Sequence, residues 1–394
     1  MMASFSPGRS GRCIYVGGLY AERDVLRNRA VSTAGNRWQR GFLNALRGCF
    51  DEVDLLAHWQ ERVFPFGTPL PRRGGFDWNP HRTFAVRYLN LPWLRTTTLR
   101  RGYARQIDRA LAKGNATTLV ICYNATPWSA QLAQRARKIH GVPAVCLHAD
   151  FPEMHGDWSE FARVAAPFAG NVFFSHLAFM QSPVVNRFHL DGGFERATVR
   201  EPISTVNGAI TYAGNIAESK GVAKLVEWFK TMPGDGRRLQ LFGKVDERDG
   251  GPRILRLCAT DSRITYRGVV PYAELDCELS RAAVLVNPVD VKMRGNPLNF
   301  PSKLQHYLEM GPPVVSAMAE GIAPAYRELM YTVEKDRDSS EWCTRIQEAA
   351  DESPGARAAR IGRVEAFLRD HLWAQQVARF TRWVDEWRPR AVNT

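Results

Sequence analysis

The sequence lacks any apolar run approaching the roughly 18 residues that a membrane-crossing helix needs. Its start, Met1 to Arg12, carries basic residues with no long apolar core behind them, which argues against a secretory signal. It has no CxxC pair and no metal-ligand spacing. The seven cysteines (13, 49, 122, 146, 258, 277 and 343) are odd in number, and several sit in apolar runs such as Leu119-Val120-Ile121-Cys122. That usage fits buried, reduced thiols in a cytoplasmic chain. Gly17-Gly18-Leu19-Tyr20-Ala21 lacks the G-x-G-x-x-G spacing of a dinucleotide fingerprint, which argues against a nicotinamide-dependent dehydrogenase. An Asp-x-Asp occurs at Asp336-Arg337-Asp338, in a polar loop with no apolar strand directly before it, so no metal cofactor is expected. Repeats and low-complexity tracts are also missing.

Acidic residues are in deficit: 53 Lys and Arg against 40 Asp and Glu give a formal charge of +13. Nucleic acid, an anionic membrane or phosphorylated small molecules would each suit that balance. Between Leu70 and Lys113 stand ten basic residues and two acids, Asp77 and Asp108. Phe76, Trp78, Phe84, Tyr88, Leu89, Leu91, Trp93 and Leu94 interleave with them. Basic plus bulky apolar suits an anionic membrane surface at residues 70–113, and equally a solvated face beside core aromatics. A basic nucleic-acid-binding protein should show a docking module. None is visible, so no nucleic-acid partner is expected.

Short apolar runs alternate with amphipathic stretches, the pattern of an α/β chain with parallel strands. Strands are expected at Cys13–Val16, Glu52–Leu56, Thr118–Cys122, Ala144–Leu147 and Asn171–Phe174, with helices at Asn36–Leu46 and Ser129–His140. A second series begins after a linker around 200–208. It comprises Ile210–Gly214, a helix Lys220–Lys230, Arg238–Phe242, Ile264–Tyr266, Ala283–Asn287, a helix Ser302–Glu309 and Pro313–Ser316. Ala358–Trp387 reads as helical and returning to the first domain. The expected domains are 1–203, 204–360 and a helical segment 361–394. Ligands of such sheets bind outside the carboxyl ends of the strands.

Two turns there suit an anion. Tyr212-Ala213-Gly214-Asn215 runs into a turn with Lys220 at a helix start, where backbone N–H groups and the dipole favour negative charge. In Asn299-Phe300-Pro301-Ser302-Lys303, Ser302 is placed to cap a helix. Lys303 lies in its first turn, where a cation opposes the dipole unless an anion binds. His306 follows one turn later, and Gly311 ends the helix.

Phe300–Ser316 resembles the signature of GT-B-fold glycosyltransferases, especially the family 4 group that assembles bacterial polysaccharides. Tyr212–Gly221, Leu241-Phe242-Gly243, Tyr266–Val270 and Val286-Asn287-Pro288 are similar in kind and spacing. Gly17-Gly18, His148-Ala149-Asp150 and Asp191-Gly192-Gly193 are family-like in position.

The resemblance implies two Rossmann-like domains facing across a crevice. It also implies a metal-independent, retaining hexosyltransferase using a UDP- or GDP-sugar donor. Lys220, Ser302 and Lys303 would hold the diphosphate, with Gly214 and Asn215 in the adjoining turn. Gly243 would line the nucleotide pocket, and Arg267, Gly268 and Val269 would meet the base. Gly17 and Gly18 would allow close approach of donor or acceptor. His148 and Asp150 would face the sugar as catalytic groups. The acceptor would be a glycan or lipid-linked oligosaccharide at the inner membrane face. The family's E-x7-E pair is not matched: Leu298 and His306 occupy its places, with His306 able to meet a ribose hydroxyl. A degenerate relative acting only as a binding module is the alternative.

Overall fold

Apolar strands buried on both faces build two parallel sheets. The computed structural model describes residues 9–28, 30–72, 75–112, 117–150, 158–200, 208–233, 236–291, 298–334 and 339–387. Two units separate: one holds Met1–Phe174, Ala178–Gly193 and Trp373–Thr394, the other Ser175–Leu177 and Phe194–Leu372. Residues 201–207 of the linker expected around 200–208, with the 203/204 boundary, and Asp336-Arg337-Asp338 lie outside the described residues.

Among its described residues the first unit has seven strands: β1 (Arg9–Val16), β2 (Phe50–His58), β3 (Thr83–Val86), β4 (Thr117–Tyr123), β5 (Ala144–His148), β6 (Gly170–Phe173) and β7 (Arg187–His189). They lie in the order β3-β2-β1-β4-β5-β6-β7, every pair parallel. Both faces are covered. Ile14, Val16, Val120, Cys122 and Cys146 pack in one core, while Cys13, Tyr15, Ile121 and Leu147 are buried too. This explains why the inner strands are near-continuous apolar runs. The edge strands β3 and β7 escape the sequence pattern because they are little buried: β3 buries only Val86 and β7 none of its three residues, so neither reads as a continuous apolar run. Arg12 enters this core beside Asp54 (Nε–Oδ2 2.5 Å) and donates to the Ala110 carbonyl. Removing either partner would strand a buried charge, at a cost of about 3–5 kcal/mol.

The expected single helical segment Ala358–Trp387 is two helices, Pro354–Asp370 and Trp373–Trp387. The break has a backbone cause. The His371 carbonyl accepts from Phe194 N–H at 3.0 Å, and Leu372 bridges to Phe194 in strand fashion, so neither can continue the helix ladder. Trp373 and Phe380 then pack against Phe42, and Trp373 meets Trp38 edge-on, inside the first unit.

In the second unit, β8 (Ala209–Ala213), β9 (Arg238–Phe242), β10 (Ile264–Gly268), β11 (Val284–Asn287), β12 (Val314–Ala317) and β13 (Tyr331–Val333) lie in the order β10-β9-β8-β11-β12-β13. This is the doubly wound order of a Rossmann sheet, in which the loops after β8, β9 and β10 gather at one end. The helix Lys303–Met310 connects β11 to β12. Its end is anchored by Arg360, which forks onto buried Glu352 (2.9 Å twice) and donates to the Gly311 carbonyl at 3.1 Å.

At the end of β2, His58 bonds Tyr103 Oη through Nδ1 (2.7 Å) among the rings of Tyr88, Tyr103 and Trp128. Burial, with Arg95 nearby, pushes its imidazole down to about 4 from 6.5. The unfolded chain then takes up the proton first as pH falls, so this group's share of stability is full above pH 6.5 and is lost towards pH 4. His58→Gln should therefore flatten the fall in Tm across that window relative to the wild type. An unchanged slope would refute the assignment.

Candidate functional site

Three strand ends and one helix start meet in the second unit. Gly214 follows β8 and Gly243 follows β9. Gly214 N–H donates to the Phe242 carbonyl (2.9 Å), and Gly243 N–H to the Gly268 carbonyl (2.7 Å). The two turns nearly touch: a Cβ on Gly243, whose φ is +134°, would lie 1.8 Å from the Gly214 carbonyl oxygen. Only glycine allows that approach. Tyr266 Oη donates to the Gly243 carbonyl at 2.8 Å, locking β10 to the same corner.

Lys303 opens the helix Lys303–Met310 over this corner. Its Nζ is shielded from water and has no hydrogen-bond partner among the described residues. It rests 4.0 Å from the centroid of the Tyr212 ring. It also sits 2.9 Å from where a Gly214 Cβ would be, so any larger residue would displace it. Burial first, and Lys220 second, hold its pKa well below the usual lysine value. An unpaired ammonium so placed is costly unless an anion completes it.

The expected capping role of Ser302 is corrected. Its backbone is already helical (φ −51°, ψ −20°) and its side chain makes no cap. The turn begins one step earlier, where Leu304 N–H bonds the Pro301 carbonyl at 2.9 Å. An N-cap needs extended backbone to aim its oxygen at the first turn, and Ser302 lacks it.

Lys220 is set by a second close approach. Gly221, at φ +74°, starts the helix Val222–Thr231, and a Cβ there would lie 1.6 Å from the Pro288 carbonyl oxygen beyond β11. Asn215 is exposed, and its carbonyl accepts from Tyr212 Oη at 2.8 Å. Arg267 and Val269 are exposed on either side of Gly268 at the end of β10. His306 commits Nε2 to Asp276 at 2.6 Å, a carboxylate that also faces Arg200 at 3.5 Å. So Gly214, Asn215, Lys220, Gly243, Ser302 and Lys303 share one end of this sheet.

Tyr307 and Asp276 were not legible as site residues. Tyr307 Oη accepts from Ala213 N–H (2.7 Å) and lies 3.2 Å from the Ala213 carbonyl, clamping the helix to the end of β8. A tyrosine on the apolar face of a helix reads as ordinary core. Asp276 lies 30 positions before His306, beyond any local spacing rule.

In the first unit, Gly17 and Gly18 follow β1, and both are tightly enclosed. A Cβ on Gly17 would lie 2.5 Å from Gln39 Oε1, and one on Gly18 2.5 Å from Tyr20 Oη. Each neighbour is a side chain, so a larger residue here would have to move Gln39 or Tyr20. His148 ends β5 but is buried, with Nε2 2.9 Å from Asn171 Oδ1 and its ring stacked on Phe173. Asp150, two residues on, is exposed and accepts from Asn124 Nδ2 at 2.8 Å.

No protein-family model matches the sequence, and no curated protein matches it. Solved structures do. Sucrose-phosphate synthase from Thermosynechococcus elongatus aligns over 95% of this chain and 99% of its own, at TM-score 0.70 and 14% identity. The Anabaena protein HepE, in complex with UDP and glucose, aligns over 94% and 99% at TM-score 0.68 and 13% identity. The lipopolysaccharide outer core galactosyltransferase WaaB aligns over 95% and 99% at TM-score 0.61 and 11% identity. The chain therefore has the GT-B fold, two parallel α/β sheets with interleaved helices.

Lys303→Met should raise the Tm of the ligand-free protein, by about 2–4 °C for each kcal/mol of relieved burial cost. The same change should weaken binding of inorganic pyrophosphate about 10- to 100-fold, the loss of one charge-assisted contact. Differential scanning fluorimetry with and without pyrophosphate reads both. A variant that is less stable and still answers pyrophosphate normally would refute the anion role.

Proposed function

We propose that this protein is a glycosyltransferase that moves a hexose from a nucleoside diphosphate sugar, UDP- or GDP-linked, to a hydroxyl of a glycan or lipid-linked oligosaccharide. The observation that carries the reading is the Lys303 ammonium, buried and without a hydrogen-bond partner among the described residues. It lies against Gly214 at the carboxyl end of a Rossmann sheet. A diphosphate supplies the missing charge. The GT-B fold supports the donor class, since HepE was solved with UDP and glucose.

In this reading Lys303, Lys220 and Ser302 hold the diphosphate, and Gly243 and Gly214 let it approach the backbone. The exposed segment Arg267–Val269 meets the base, and His306, oriented by Asp276, stands beside the ribose. The anomeric carbon–oxygen bond to the β-phosphate breaks as a bond to the acceptor oxygen forms. The two lysines stabilise the charge on the departing nucleoside diphosphate, the work a metal ion does elsewhere. With configuration retained, the acceptor proton passes to a donor phosphate oxygen. On the acceptor side, exposed Asp150 is the group able to meet a hydroxyl, and enclosed His148 positions the end of β5 beneath it.

A donor screen tests the proposal by release of UDP or GDP in the presence of glycan and lipid-linked acceptors. One donor should turn over, and Lys303→Ala should lower kcat/KM about 100-fold or more. Stabilisation by UDP without turnover of any donor would favour a binding module instead. Duplex binding without any response to UDP or GDP would overturn the reading.

A further inference from the structure

We propose that two loops of the first unit, residues 61–70 and 87–94, form a docking surface for an anionic lipid bilayer. The proposal is independent of the donor chemistry above. Six large apolar side chains project from this one stretch. Trp93 is 87% exposed, Phe66 76% and Leu70 69%, with Phe64, Leu89 and Leu94 above a third. Exposed apolar groups concentrated this way mark an interaction site.

The loops are held together by one buried residue. Asn90 Nδ2 donates to the carbonyls of Arg62 (2.7 Å) and Thr68 (2.9 Å). Its backbone carbonyl accepts from Phe64 N–H (3.0 Å), and its N–H donates to the Pro69 carbonyl (2.8 Å). The loop bearing Phe64 and Phe66 is thus stapled to the one bearing Leu89, Trp93 and Leu94. Thr98 Oγ1 accepts from Leu89 N–H at 3.0 Å, fixing the second loop to the helix Arg95–Leu111. The apolar tip is ordered without burying itself.

Charge identifies the occupant. Arg62, Arg72, Arg87, Arg100, Arg101 and Arg105 are exposed in or beside the loops. Arg87 adjoins the helix at Gly102, whose Cβ position lies 2.9 Å from the Arg87 carbonyl oxygen. All three acids between 61 and 112 are engaged. Glu61 accepts from the N–H and hydroxyl of Thr68, Asp77 pairs with Arg40, and Asp108 with Arg135 and His140. Positive guanidinium groups around Trp, Phe and Leu side chains match lipid phosphates above acyl chains. Nucleic acid would use the aromatics but would leave the three leucines wet. No described helix is long and apolar enough to cross a membrane, so the association is at the surface.

Flotation of the full chain decides it, using vesicles of phosphatidylcholine alone or mixed with phosphatidylglycerol at low salt. The wild type should float with the anionic vesicles only. Phe66→Ser with Trp93→Ser should weaken binding about tenfold or more. Arg101→Gln with Arg105→Gln should weaken it about fivefold per site. Both variants alter exposed side chains, so Tm and its response to UDP should stay at wild-type values. Equal binding to both vesicle types would overturn the proposal. So would flotation that neither variant changes, or binding of single-stranded RNA without binding of anionic vesicles. If flotation fails while UDP still binds, the surface assignment falls and the glycosyltransferase reading stands.

Discussion

A lysine ammonium shut away from water, with no carboxylate among the described residues to receive it, is the constraint around which the second unit's loops are arranged. Lys303 could relax if Gly214 carried a side chain, if Gly243 stood further off, or if Tyr307 let the helix drift from β8. None of these occurs. The two glycine turns press together, Tyr266 and Tyr307 bond their carbonyls, and the Arg360–Glu352 fork holds the far end of the helix. The surroundings keep the charge in a place that is poor for the empty protein and favourable for a bound anion, the usual trade between stability and function.

The second unit was more legible in the sequence than the first, for physical reasons. Two of its inner strands, β8 and β9, run into glycine turns, and Arg238–Phe242 falls where the pattern places it. Lys303 was legible because a cation in a first helical turn defies the dipole, and local rules that fail tend to mark function. Ser302 departs from the expected cap because an N-cap is defined by backbone angles that composition does not reveal. The break at His371–Leu372 carries no proline or glycine. It comes from a backbone pairing with Phe194, 177 positions away, that no local window can see.

In the first unit the expected site residues differ in setting: His148 is buried against Asn171 and Phe173, Gly17 and Gly18 are half-buried beside Gln39 and Tyr20, and Asp150 is exposed. The basic, aromatic stretch after β2 was ambiguous by composition, since core aromatics and surface aromatics look alike in sequence. The structure sorts them: Trp78 and Tyr88 go inside, while Phe66, Trp93 and Leu70 face water on loops that Asn90 holds rigid.

The central claim is that Lys303 waits with a depressed pKa for a diphosphate. Calorimetry of UDP binding in buffers of different ionisation enthalpy tests it most directly, repeated at pH values stepped from neutral up towards the ordinary lysine value of 10.5. Proton uptake should appear within that range as the counter-charge raises the depressed pKa, and Lys303→Met should abolish it. UDP binding with no Lys303-dependent uptake anywhere in the range would contradict the account.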